Sequence, residues 1–168
     1  NILTELADLA NKACSPKPED RPQSVEEFRT ELENILQYWE ALRISQAAMT
    51  KLNQLEDIVL QNKTNSEENI KAHQLFSQAR FGFEQALNIY PKCAPAKNGI
   101  QQNLELMITL MIASDQLKYA ESLMGSLYNN KQKFKTLIKE KLQQQLEAQQ
   151  ESQRLKEFAA NYDRASSI

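Results

Sequence analysis

An all-α fold follows from three observations on the sequence. Of its 168 residues only three are glycine and five are proline, and the prolines fall in two tight groups, Pro16/Pro18/Pro22 and Pro91/Pro95. Long stretches therefore carry no breaker. Leu, Gln, Glu, Lys and Ala, all good helix formers, dominate those stretches, whereas valine occurs only at Val25 and Val59. Apolar residues recur at spacings of three and four through most of the chain, the period of an α-helix with one buried face.

The first such pattern covers residues 2–14, with Ile2, Leu6, Leu9, Ala10 and Ala13 on one side. It stops at Ser15-Pro16-Lys17-Pro18-Glu19-Asp20-Arg21-Pro22. Ser24 then stands as an N-cap with Glu27 three residues on. This spacing predicts a capping box, in which the serine oxygen accepts the third helical N–H and the glutamate returns to the cap N–H. Val25, Phe28, Leu32, Ile35 and Leu36 open the next apolar face, and Tyr38, Leu42, Ser45, Ala48, Leu52, Leu55 and Val59 continue it. One helix over 24–60 would be about 55 Å long. A bend near Gln37 is expected instead, because few domains bury one face over such a length.

Residues 61–66 (QNKTNS) are polar and read as a loop, with Ser66 as the cap of a helix whose first turn holds Glu67 and Glu68, favourable against the helix dipole. That helix, 67–90, carries Ile70, Phe76, Ala79, Phe83, Ala86, Leu87 and Tyr90 and ends at Pro91–Pro95. Residues 95–113 are apolar almost all round, which predicts the most buried helix of the protein. After a turn at Ser114-Asp115 comes a helix over 116–128, and after Asn129-Asn130 a long last one. Its stripe of Phe134, Leu137, Ile138, Leu142 and Leu146 lapses over 147–154 and returns at Leu155, Phe158, Ala159 and Tyr162. Such a helix is expected to protrude beyond its own domain and to dock its end on another protomer or on the earlier long helix.

Composition narrows the function. A formal net charge of −2 and a pI near 5.6 argue against a general binder of nucleic acid or anionic membranes. No apolar run reaches the roughly 18 residues of a membrane span. Two cysteines, Cys14 and Cys93, are too few for a disulfide framework and read as reduced thiols of a cytoplasmic protein. The opening at Asn1-Ile2-Leu3, in mid-pattern, reads as a piece of a longer protein. His73 is the only histidine and has no ligand partners at helical spacing, so no metal site is expected. Trp39 beside Tyr38 reads as a core anchor. Lys131, Lys133, Lys135, Lys139 and Lys141 are spread around their helix and read as a solvated face. With no glycine-rich phosphate cradle and no Ser/His/Asp set, no catalytic, cofactor or metal residue is assigned.

The run Leu6-Ala7-Asp8-Leu9-Ala10-Asn11-Lys12-Ala13-Cys14, then Ser15 to Ser24 with Arg21-Pro22, then Val25-Glu26-Glu27-Phe28 and Leu32, resembles the end of the C-terminal lobe of a serine/threonine protein kinase, most closely the bacterial branch. The resemblance covers residues 1–36 and is carried by Arg21, Pro22, Ser24 and Glu27. It implies that the parent protein uses ATP and Mg to phosphorylate protein hydroxyls. It also implies that the arginine at position 21 pairs with a glutamate near the activation segment, in a buried bidentate ion pair. The chain has no Ala-Pro-Glu to supply that glutamate. The glycine-rich loop, ATP lysine, His-Arg-Asp and Asp-Phe-Gly elements of phosphoryl transfer are absent too. This segment is therefore expected to be non-enzymatic, and the face of helix 2–14 toward the missing lobe is expected to be left open for another contact.

A second resemblance lies in the middle. Ala79-x3-Phe83, Ala86 and the closing Pro91 are similar to the second helix of a tetratricopeptide repeat, and 34 residues on come Ala113, Leu117, Ala120 and Gly125. The tryptophan and glycine of that motif's first helix are replaced by Lys97 and Gln101, and helix 95–113 is about two turns too long. The resemblance implies antiparallel helical hairpins over 37–130, between a kinase remnant over 1–36 and a long helix over 131–168. It also implies binding of a protein partner. That partner is a separate protein, the parent's own kinase domain or a second copy, with no nucleic acid and no membrane contact by this segment. The rival reading is a stand-alone helical scaffolding protein unrelated to a kinase.

Overall fold

In a computed structural model, the backbone is described for residues 2–61 and 66–165 and the side chains for 2–61 and 67–159. The described residues form helices joined by turns, without a β-strand. Six α-helices follow in order: α1 (Ile2–Ala13), α2 (Val25–Leu60), α3 (Ser66–Ile89), α4 (Ala94–Ala113), α5 (Leu117–Met124) and α6 (Lys131–Ala165). One 3-10 turn, Pro18–Asp20, lies between α1 and α2. No described helix is long and apolar enough to cross a membrane.

The start of α2 is built as its residues dictate. Ser24 is extended, and its Oγ accepts the Glu27 N–H at 3.0 Å. The return bond differs from the expected box: the Glu27 carboxylate accepts from the Gln23 N–H at 2.6 Å, one residue before the cap. A bend was expected near Gln37, and the helix is not interrupted there. α2 runs unbroken for 36 residues, about 54 Å. The reason is that its two halves have different neighbours. α1 packs on the first half, and the buried positions Ala41, Ser45, Ala48, Leu52, Leu55 and Ile58 of the second half carry α3.

The chain divides within α4 into two compact units, 1–107 and 108–168. In the first, Ala41, Ala48 and Leu52 of α2 share a core with Ala79, Phe83 and Ala86 of α3 and with Cys93 and Ala96 at the start of α4. Small residues set the spacing. A Cβ on Gly82 would lie 2.8 Å from that of Ala48, and one on Gly99 would lie 2.3 Å from the Phe83 ring. Between α3 and α4 the chain turns over four residues, 90–93, where the Cys93 N–H reaches the Tyr90 carbonyl at 3.0 Å.

In the second unit α5 is shorter than the 116–128 pattern suggested. Leu117, Ala120 and Leu123 are buried, as are Leu127, Phe134 and Ile138. The turn before α5 places Asp115 at φ 57° and the turn before α6 places Asn130 at φ 60°. Asp and Asn tolerate this left-handed region better than most residues. Lys141 meets Asp115 at 3.4 Å, fastening α6 back to that turn. Beyond Lys141 every described side chain of α6 is exposed, Leu155 by 64% and Phe158 by 73%. The expected protrusion is therefore seen over 142–159. Ser66 as a cap and Tyr162 as part of the distal stripe lie outside the described side chains.

Candidate functional site

The Arg-Pro segment is a turn tied by its own polar groups. Arg21 is exposed and its Nε donates to the Ser15 carbonyl at 2.7 Å. Gln23 donates its side-chain amide to the carbonyls of Arg21, at 2.6 Å, and Pro18, at 3.1 Å. Pro22 is half-buried. The guanidinium that the kinase resemblance would bury against a carboxylate here braces a backbone carbonyl at the protein surface.

α1 is held on α2 at two levels. Trp39 Nε1 donates to Glu5 at 2.7 Å, and Lys12 Nζ pairs with Glu31 at 2.6 Å. The Glu31 hydrogen bond holds the Lys12 ammonium above its ordinary pKa, with the carboxylates of Glu31 and Glu27 adding to it. Leu9 is the one fully buried side chain of α1. Leu3, by contrast, is 70% exposed, so α1 keeps an apolar residue open to solvent. Tyr38 stacks edge-on with Trp39, at 5.8 Å between centroids, and with Tyr90, at 5.5 Å. Trp39 is thus an anchor between helices, half-buried, with its N–H satisfied.

The repeat-like residues are not all gathered in one place. Ala79, Phe83 and Ala86 are fully buried together against α2. Pro91 is exposed in the α3–α4 turn. Of the set 34 residues on, Leu117 and Ala120 are buried but Ala113 is exposed at the last turn of α4. The 20-residue length of α4 carries its end past the point where a shorter repeat helix would have turned.

Several contacts have no motif to announce them. Buried Asn103 donates its Nδ2 to the Phe76 carbonyl at 2.9 Å, tying α4 to α3, while its Oδ1 is buried without a partner. Ser45 and Cys93, both buried, lie 3.6 Å apart. The one sequence signal was glycine inside a helix: Gly82 and Gly99 cost helix propensity, which makes sense only where something packs closely.

Among the described residues no cluster of three or more His, Cys, Asp or Glu is placed to hold a metal ion. One flank of α6 presents Lys135, Lys139, Glu140 and neighbouring Gln and Thr side chains as an open polar surface. Such a surface offers hydrogen bonds and charge to a partner but no enclosure for chemistry. Compared with protein-family models, with curated proteins and with solved structures, the chain finds no match.

Proposed function

We propose that this chain is a non-catalytic helical interaction and regulatory module from the C-terminal part of a serine/threonine protein kinase. The observation that carries this reading is α2. One helix begins with a capped Arg-Pro element similar to the end of a kinase lobe and continues, without a linker, into the pair with α3. A module so joined moves with whatever its first turns belong to. The chain's own part is to bind, and its work is done by residues 37–162.

The hairpins are read as antiparallel and tetratricopeptide-like. In support, Tyr38 meets Tyr90 while Ala48 meets Gly82, so positions rise along α2 as they fall along α3. The Ala79–Phe83–Ala86 set buried against α2 supports it too. The partner is a protein segment, the parent's kinase domain or a second copy. For a second copy, the exposed Leu142, Leu146, Leu155 and Phe158 of α6 supply the open apolar surface. The reading places the chain in the cytoplasm, with ATP and Mg used by the parent alone.

The test is the coding sequence upstream of Asn1. It is expected to hold a His-Arg-Asp catalytic loop, an Asp-Phe-Gly metal site and an Ala-Pro-Glu, and an upstream region without them overturns the kinase origin. In that event a stand-alone helical scaffold is the reading that remains. Nucleotide turnover by the purified chain overturns the non-catalytic assignment.

A further inference from the structure

α1 has 12 residues and one fully buried side chain, Leu9. A helix that short is marginal alone in water. Its order depends on a few contacts with α2, and such an element opens locally before the rest of a fold does. Docked and released α1 are thus two states that differ in the burial of Leu9, the partial burial of Ile2, Leu6 and Ala13, the Glu5–Trp39 bond and the exposed Lys12–Glu31 pair.

Those contacts do not end at α2. Trp39 takes Glu5 as its acceptor, and the neighbouring Tyr38 touches the edges of both Trp39 and Tyr90. Tyr90 in turn closes two backbone bonds of the α3–α4 corner. Its N–H donates to Ala86 O at 2.9 Å, and its carbonyl accepts the Cys93 N–H at 3.0 Å. When α1 leaves, the indole N–H loses its carboxylate and the Trp39 ring loses that restraint. Tyr38 then loses one of the two rings that fix it, and Tyr90 loses a fixed neighbour.

We propose that α1 is a releasable arm whose docking is coupled, through Glu5, Trp39, Tyr38 and Tyr90, to the order of the α3–α4 corner. Coupling of this kind is reciprocal: a partner that grips the corner tightens α1 by the factor by which docked α1 tightens the corner. The chain thereby acquires a regulatory contact between its kinase-like end and its helical module.

Amide hydrogen exchange on the whole chain tests it, with Glu5→Ala and Leu9→Ala each releasing α1 by a different route. Both are expected to speed exchange in α1 and, by about 5-fold, at residues 90–97, the low end of a typical coupling between sites. Residues 52–58 of α2, whose Leu52, Leu55 and Ile58 are buried, serve as the internal reference and keep their wild-type protection. In a Tyr38→Ala background, Glu5→Ala is expected to free α1 as before and to add nothing at 90–97. The proposal is overturned if α1 is freed while 90–97 exchange as in the wild type. It is equally overturned if neither variant frees α1, or if Tyr38→Ala leaves the effect on the corner intact.

Discussion

Gly99→Ala sets two principles against each other. In an exposed helix the change stabilises by about 1 kcal/mol, because alanine has the better helix propensity. At this position the added methyl would lie 2.3 Å from both Cε1 and Cζ of Phe83 and 2.7 Å from Cε2. An unstrained carbon–carbon contact is about 3.5–4.0 Å, so ring and helix must separate by more than an ångström. The ring has nowhere to go: Phe83 is 0% exposed, in a core that also holds Ala48, Ala86 and Ala96. Overpacking of this kind costs about 1–3 kcal/mol and occasionally more. The clash here spans three ring atoms, which places it at the upper end. After the propensity gain a net loss of about 2 kcal/mol is expected, or a fall in Tm of roughly 4–8 °C for a chain of this size. Urea unfolding followed by the fluorescence of Trp39, the only tryptophan, reads the unit that contains the contact. Phe83→Leu in the same chain removes the far side of the ring. The double variant should then recover at least about 0.5 kcal/mol relative to the sum of the single changes, as for residues in contact. A Gly99→Ala protein as stable as the wild type, or more so, would refute the close approach of α4 to Phe83.

Ser24→Ala removes the acceptor for the Glu27 N–H and should destabilise by about 1 kcal/mol, read by the same unfolding assay, with Ser24→Asp close to wild type. Asn103 has one bond made and one buried oxygen unpartnered. Asn103→Leu is therefore expected within about 1 kcal/mol of wild type, whereas Asn103→Asp, which buries a charge, should lose at least about 2 kcal/mol at neutral pH. The raised pKa of Lys12 fixes the sign of a pH effect. Its contribution is complete below the unfolded lysine value, near 10.4, and is lost only as pH rises through the folded value. Protection of α1 should thus be insensitive to Lys12 from neutral pH to about 9, fading above 10 in a titration by NMR. Deleting 142–168 removes described side chains that are all exposed. The melting temperature of the remainder should be unchanged at high dilution, and a fall would show that this end of α6 packs on something.

The helices were legible because their signals are local. Proline and glycine scarcity, the 3.6-residue period and the Ser24–Glu27 spacing each act within a few residues, and each predicts an element seen in the structure. The unbroken length of α2 was not legible for a reason of the opposite kind. A local rule says that one face cannot stay buried for 54 Å, but α2 is served in turn by α1 and α3, and the sequence does not print which helix faces which. The same holds for the residues that matter most to the candidate site. Glu5 and Trp39 are 34 positions apart, and Asn103 and Phe76 are 27 apart. No periodicity encodes such a meeting.

Arg21 shows what a motif conveys and what it leaves open. Its neighbourhood is the one the resemblance describes, a turn followed by a capped helix, and that neighbourhood forms from residues 15–27 alone. The ion pair that gives the arginine its place in a kinase needs a residue this sequence does not contain, and its bond goes to the Ser15 carbonyl instead. The local order of this turn is therefore met by its own polar groups, with Arg21 bonded to a backbone carbonyl. The contacts that join α1 to the α3–α4 corner lie outside the motif: Glu5–Trp39, Trp39–Tyr38 and Tyr38–Tyr90 form an unbroken series from one to the other.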